Sequence, residues 1–135
     1  MTVTVLSGLI RPLVEGRLPD WVEPRFFQSK EEAMALAPEA EIGWFDMYDK
    51  RDMAAAVTAA TGLKWLNSIY AGVDGLPLDL LHERGTVVTN GAGINAITIA
   101  EYVVMGMLTV AKGYRDVVRA QERREERRRI VQFEP

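Results

Sequence analysis

The sequence predicts an α/β domain in which a parallel sheet of five strands is flanked by helices. Five short segments rich in β-branched and aromatic residues recur between residues 2 and 89, and helical patterns lie between them. Two neighbouring parallel strands need a crossover connection long enough to contain a helix, which is what these helical patterns supply. With 135 residues, of which 48% are hydrophobic and 26% charged, the chain is large enough to bury one core.

The first elements alternate strand and helix. The strand candidates are residues 2–6, 25–28, 41–45, 64–69 and 86–89. The first helical pattern, residues 8–17, is weak. The second, residues 30–37, follows Ser29 as a candidate N-cap, and Glu32 completes the spacing of a capping box.

The next two helices are marked at their ends. Residues 52–61 are alanine-rich and precede Gly62, which predicts a left-handed C-terminal stop. Residues 77–84 begin with proline and precede Gly85. The alternation predicts a flavodoxin-like, doubly wound parallel sheet, in which ligands bind beyond the carboxyl ends of the strands. The loops at those ends follow Leu6, Phe45, Ile69 and Thr89.

The longest helical pattern covers residues 95–129. Apolar residues recur at steps of three and four across residues 96–118, and Asn95 is a candidate N-cap. Beyond this stripe, arginines and glutamates form the i,i+3 and i,i+4 pairs of an exposed helix. We therefore expect a domain in residues 1–94, a connecting or dimerisation helix in 95–129 and a tail in 130–135.

A glycine-rich turn lies between the last strand and this helix. Taken alone, Gly91, Gly93 and Ala96 match the glycine fingerprint of a dinucleotide site. That site also needs a second strand ending in an acidic residue about 20 positions later. Here that position falls near Arg115 and Asp116, inside the helical pattern, so the pattern argues against a nucleotide site in this chain.

Composition excludes several other classes. The absence of cysteine removes disulfides, thiolate nucleophiles and zinc–thiolate sites. A net charge of −3 is unlike the unopposed basic surface of a nucleic-acid-binding protein. The N-terminus has no basic-then-apolar leader, and no apolar run is long enough to span a bilayer. We expect a cytoplasmic protein with neither a membrane partner nor a nucleic-acid partner.

Two further loops suggest sites that we reject. Asp46 and Asp49 resemble a phospho-acceptor site, but the first strand ends without the acidic pair that binds Mg²⁺, so no metal site is expected. The turn at residues 6–9 lacks the hydroxyl-rich run that cradles a phosphate or a flavin. It is interpreted as a structural turn.

The loop at residues 67–75 is the strongest candidate site. Ala71, Gly72 and Val73 are small residues between a strand and a helix, where successive backbone N–H groups converge into an anion-binding concavity. A plain strand-to-helix turn is the alternative interpretation.

Three segments together resemble the D-isomer-specific 2-hydroxyacid dehydrogenase family. They are residues 63–74, containing AGVD, residues 85–90, containing VVTN, and residues 95–104, containing IAE. The resemblance covers nearly the whole chain. It implies the substrate-binding, or "catalytic", domain of an enzyme whose separate Rossmann domain carries NAD or NADP.

The resemblance also implies residue roles. The backbone amides of Ala71, Gly72 and Val73 would bind the carboxylate of a small 2-oxo or 2-hydroxy acid. Asn95 would lie at the interdomain hinge and contact substrate in some members. Independently of the resemblance, Phe45, Met47 and Tyr70 lie in or beside loops that follow strands, and we expect them at the wall of the cleft.

The family's catalytic arginine, histidine and acidic residue lie in the nucleotide domain. His82, the only histidine here, matches none of them, so we expect no catalytic, cofactor-binding or metal-binding residue in this chain. The chain is expected to be a truncated or excised piece that binds the acid weakly and is inactive alone. The alternative is a non-enzymatic module that self-associates into a homo-oligomer through residues 96–118.

Overall fold

A computed structural model of the chain describes residues 1–124. They form two compact units, Met1–Gly93 and a second that begins at Ile94. The first unit contains the sheet with its helices, and the described part of the second, up to residue 124, contains two helices. The sequence analysis assigns residues 1–94 to a substrate-binding domain and residues 95–129 to a connecting or dimerisation helix, and these assignments of function remain predictions.

The first unit is built on five parallel strands. They are β1 (Thr2–Ser7), β2 (Val22–Phe27), β3 (Ile42–Trp44), β4 (Trp65–Asn67) and β5 (Val87–Thr89), in the order β2-β1-β3-β4-β5. The chain moves from β1 outward to β2 and then returns to the other side of β1 at β3. The strand order therefore reverses between β1 and β3, and the predicted α/β fold is confirmed.

Short helices connect the strands. They are α1 (Arg11–Val14), α2 (Lys30–Leu36), α3 (Lys50–Ala59) and α4 (Leu78–Glu83), with 3-10 turns at Gly8–Ile10 and Ala37–Glu39. The predicted capping of α2 is confirmed, because Ser29 Oγ accepts a hydrogen bond from the Glu32 amide at 3.2 Å. The Glu32 carboxylate accepts in turn from the Gln28 amide at 2.7 Å. The first bond satisfies an N–H group that the helix itself leaves unpaired, and the second differs from the predicted capping box by one residue, because its donor is Gln28 and not the N-cap Ser29.

Two predicted helix ends differ in outcome. Gly85 has φ +69° and ends α4 as expected. The stop predicted at Gly62 is wrong, since α3 ends earlier and Gly62 has no positive φ. The helix ends instead where the Ala60 amide donates to two carbonyls of the last turn, those of Ala56 and Val57.

One hydrophobic core holds the first unit together. Its large, fully buried side chains are Val5, Phe45, Val57, Leu66 and Leu81. The rings of Phe27 and Phe45 stack with centroids 6.0 Å apart. A Cβ at Gly43 would lie 2.5 Å from Phe45 Cε2, so only glycine lets this ring pack against β3.

We expect Gly43→Ala to destabilise the protein by about 1–3 kcal/mol, because the added methyl group overpacks the core. Gly62→Ala is the matched control, since its Cβ would meet only the Ala40 carbonyl at an ordinary 3.6 Å. Urea denaturation followed by circular dichroism measures both free energies of unfolding. Equal stabilities of the two variants would contradict this account of the core.

The second unit contains α5 (Ala96–Ala111) and α6 (Tyr114–Glu122). The expectation of one uninterrupted helix over residues 95–129 is therefore wrong within the described residues; residues 125–129 lie outside them. Gly113 adopts the left-handed conformation, with φ 57° and ψ 36°, and the helix axes bend by 67° there. A left-handed residue ends an α-helix because it cannot continue the helical hydrogen bonds.

The α5 helix is apolar yet uncovered. None of its residues is buried, and Ile97, Tyr102 and Val110 are 77%, 68% and 82% exposed. Across residues 1–124 no single helix is long and apolar enough to cross a bilayer, although α5 and α6 meet that test as a bent pair.

Candidate functional site

The Asp46 carboxylate joins the ends of β3 and β4. Its Oδ1 accepts from Ser68 Oγ at 2.7 Å, and its Oδ2 accepts from the Ile69 amide and from Trp44 Nε1, each at 2.6 Å. Ser68 is only 3% exposed. Hydrogen bonds to an ionised carboxylate are short and strong, so this arrangement, the Asp46 network, fixes the start of the loop after β4.

The loop at residues 68–75 is also held from the β5 side. Asn90 Nδ2 donates to the Ala71 carbonyl at 2.8 Å, and the Gly91 amide donates to the Tyr70 carbonyl at 3.1 Å. The Tyr70 amide donates to Ser68 Oγ at 3.2 Å. The ends of two neighbouring strands therefore position the loop.

The middle of this loop keeps its donors available. Within the described chain, the N–H groups of Ala71, Gly72 and Val73 donate to no protein acceptor. Ala71 and Gly72 are exposed, and Val73 is half-buried. Successive unpaired N–H groups in a non-helical loop form a concavity that suits an anion. The geometry thus suits the predicted carboxylate contact, which remains a prediction.

An ion pair lies beside these amides. Lys50 Nζ is 3.0 Å from Asp74 Oδ2, and the other Asp74 oxygen would lie 2.8 Å from a Cβ at Gly72. Lys50 holds the pKa of Asp74 below its ordinary value, chiefly through this hydrogen bond. The ammonium group also offsets the Asp74 charge, which would otherwise repel an anion at the loop.

The remaining predicted residues are distributed between the two units. Phe45 is 1% exposed and belongs to the core, whereas Tyr70 is 44% exposed on the loop. Met47 is half-buried and lines a crevice described below. Asn95 is exposed in the second unit, at the N-cap position of α5, where its side chain makes no capping hydrogen bond. His82 is exposed on α4.

A crevice opens where the strand order reverses, beyond the carboxyl ends of β1, β2 and β3. This switch-point crevice has a volume of about 700 Å³ and is lined by Ser7, Gly8, Leu9, Phe27, Gln28, Ser29, Lys30, Asp46, Met47, Tyr48, Asp49 and Asp52. The sequence-based interpretation of residues 6–9 as a plain turn missed it. The only trace of the crevice in the sequence was the glycine at position 8. The structure explains this glycine, because a Cβ there would lie 2.9 Å from the Phe27 carbonyl oxygen.

The described residues do not fit a nicotinamide dinucleotide. In residues 1–124, α5 leads into α6 and no strand follows it to pair with β5. A dinucleotide unit requires that second strand, which carries the group that holds the ribose. The same residues contain no group of three or more His, Asp or Glu side chains suited to a metal ion.

Comparison with known families settles the relationship. Residues 11–131 match the family described as D-isomer specific 2-hydroxyacid dehydrogenase, catalytic domain. The chain belongs to this family. The resemblance carried by the three sequence segments is thereby confirmed.

Relatives of this 2-hydroxyacid dehydrogenase domain are longer proteins. D-3-phosphoglycerate dehydrogenase of Archaeoglobus fulgidus is 33% identical over 91 residues, which are 67% of this chain and 17% of that protein. A D-isomer specific 2-hydroxyacid dehydrogenase family protein from Aeromonas salmonicida superposes with a TM-score of 0.69 at 22% identity, covering 97% of this chain and 42% of that one.

D-Lactate dehydrogenase from Aquifex aeolicus, solved with NAD and lactic acid, gives a TM-score of 0.65 at 17% identity, covering 94% of this chain and 39% of that one. At such identities the superpositions show a shared fold. The chain spans less than half the length of each of these relatives.

We expect Lys50→Met to raise the pKa of Asp74, because the variant removes the hydrogen bond and charge that lower it. A carboxyl with a lowered folded-state pKa stabilises the fold above its unfolded pKa, and this contribution is lost as the pH falls through the folded pKa. Titration of the Asp74 carboxyl carbon by NMR measures both proteins. An unchanged midpoint in the variant would show that Lys50 does not hold this side chain.

Proposed function

We propose that this chain is the substrate-binding part of an NAD- or NADP-dependent D-2-hydroxyacid dehydrogenase. In this proposal the carboxylate of a 2-oxo or 2-hydroxy acid binds the backbone amides of Ala71, Gly72 and Val73. Family membership supports the substrate class, and the three unpaired N–H groups are the observation that carries the assignment of the loop.

The loop is prepared for such a ligand before it arrives. The Asp46 network and Asn90 hold the residues on both sides of the amides, so little conformational entropy is lost on binding. The loop amides carry no net charge, so the site lacks the bidentate contact with an arginine that gives the strongest binding of a carboxylate. The affinity of the isolated chain is therefore expected to be low.

Hydride transfer needs a nicotinamide, which supplies or accepts the hydride at C2 of the acid. The described residues do not fit that group, so in this proposal they bind and orient the acid. In this proposal, the residues that exchange the hydroxyl proton and bind the 2-oxo group belong to another part of the enzyme.

An NMR titration tests the site. D-lactate should shift the amide signals of Ala71, Gly72 and Val73 at millimolar concentrations, because its carboxylate accepts their N–H groups. D-lactamide is the matched control ligand, since it has the same carbon skeleton without the charge, and it should shift them much less. Unmoved loop signals with D-lactate, or equal shifts with both compounds, would contradict the proposal.

The exposed α5 helix supports a second proposed property, self-association with another copy of this chain. A helix that is apolar on all sides is normally covered by protein. One face of α5 carries Ile97, Val104 and Leu108 together with Glu101, and Lys112 follows on the same face just after its end. These two charges have opposite sign and are separated by eleven positions.

A two-fold symmetric, antiparallel pair of α5 helices uses both features. If the helices cross at the level of Val104 and Leu108, which lie on this face, Glu101 of each copy lies opposite Lys112 of the other, because the two charged positions are nearly equidistant from the crossing point. The pairing is isologous and therefore closes as a dimer.

Charge reversal tests this arrangement. Glu101→Lys should weaken the dimer, because it places like charges opposite each other at two symmetric contacts. The double variant Glu101→Lys with Lys112→Glu should restore it, since opposite charges face each other again. Sedimentation equilibrium measures the mass. A monomeric wild-type chain at high concentration, or a double variant as weak as the single one, would contradict the antiparallel dimer.

A further inference from the structure

The switch-point crevice has the position of a ligand site. In open α/β sheets, ligands bind outside the carboxyl ends of the strands where the strand order reverses, which here is between β1 and β3. Asp46 lines this crevice and also belongs to the Asp46 network that holds the loop at residues 68–75. Asp46 therefore connects the crevice to the start of the loop that carries the proposed carboxylate site.

The crevice is lined by a nearly buried hydroxyl group, that of Ser7, which is available to bind a ligand. Ser7 is 5% exposed, and its side chain makes no capping hydrogen bond to the turn that follows. No buried side-chain oxygen or nitrogen of residues 1–124 lacks a hydrogen-bond partner. Ser7 Oγ has no hydrogen-bond partner in the structure, so it is not one of these fully buried atoms and retains a small contact with solvent. The hydroxyl group is therefore free to donate to and accept from a ligand in the crevice.

The charges of the crevice select against an anionic ligand. Lys30 is the one basic residue in its lining, and its ammonium is already 2.6 Å from Asp52 Oδ1. Asp46 and Asp49 add two further carboxylates. The two oxygens of a carboxylate have about four acceptor sites, and Asp46 receives three hydrogen bonds, so it retains room for a hydroxyl donor.

The width of the sheet sets the length of the ligand. Ser7 ends β1, and the loop at residues 68–75 follows β4, two strands away. Neighbouring strands are about 4.8 Å apart, so the distance to be bridged is on the order of 10 Å. A three-carbon acid bound by the loop amides is too short to fill both places comfortably, whereas a chain of about six carbons spans them.

We propose that the switch-point crevice binds the uncharged, polyhydroxylated tail of a long 2-hydroxy acid, that is, an aldonic acid, with Ser7 as a specificity-determining hydrogen-bond partner. This inference rests on the proposed function, because the carboxylate end of the same ligand occupies the loop amides. It separates this chain from relatives named for phosphorylated substrates, since a phosphate would meet carboxylates and a lysine that is already paired.

Three six-carbon ligands with the same carboxylate and 2-hydroxyl group test the inference on this chain. They are D-gluconate, with a hydroxylated tail, (R)-2-hydroxyhexanoate, with an apolar tail, and 6-phospho-D-gluconate, with an anionic tail. NMR titration reports the loop amides and Ser7 separately. We expect D-gluconate to shift both places and to bind about threefold or more tighter than 2-hydroxyhexanoate, as one or more added hydrogen bonds would produce. The phosphorylated acid should bind most weakly.

Ser7→Ala should remove most of the advantage of D-gluconate and leave the affinity for 2-hydroxyhexanoate unchanged. Thr58→Ala is the control, because it removes an exposed hydroxyl that bonds only the Ala54 carbonyl, outside the crevice. Loop shifts without a Ser7 shift, tighter binding of 6-phospho-D-gluconate, or an unaltered preference in Ser7→Ala would overturn the inference and leave the proposed function standing. If none of the three acids shifts the loop amides, both are overturned.

Discussion

The candidate site depends on the hydrogen bonds that the Asp46 carboxylate accepts from residues at the end of β4. Parallel pairing of β3 with β4 brings this carboxylate to Ser68 and Ile69. The three hydrogen bonds that the carboxylate accepts fix the conformation of the chain at the start of the loop. Polar groups that are satisfied in this way stay in place. The loop amides beyond them can then remain unpaired without the loop collapsing onto the protein.

Local and periodic signals made much of the fold predictable. Alternating apolar segments located the five strands, and Ser29 with Glu32 located the start of α2, because a helix must satisfy its first N–H groups from nearby side chains. Gly85 was predictable for a different reason, because glycine adopts the left-handed conformation at a helix end without the steric cost that other residues meet. The small residues of the loop at 71–73 carried the candidate site on sequence alone.

Three features of the structure were not predicted from the sequence. The apolar spacing continues through Gly113, so periodicity predicted one helix where the backbone turns. Phe45 follows a strand end and resembled a cleft residue, but its ring packs on Gly43 and Phe27 in the core. The switch-point crevice is formed by three segments far apart in sequence, and only the strand order brings them together.

The uncovered α5 helix has a consequence for the life of the protein in a cell. Until another surface covers it, this helix leaves apolar side chains exposed, and in cells chaperones and proteases act on proteins with exposed apolar surface. The amount of the protein that survives would then follow the supply of whatever covers α5. Its abundance would be set by assembly as well as by synthesis.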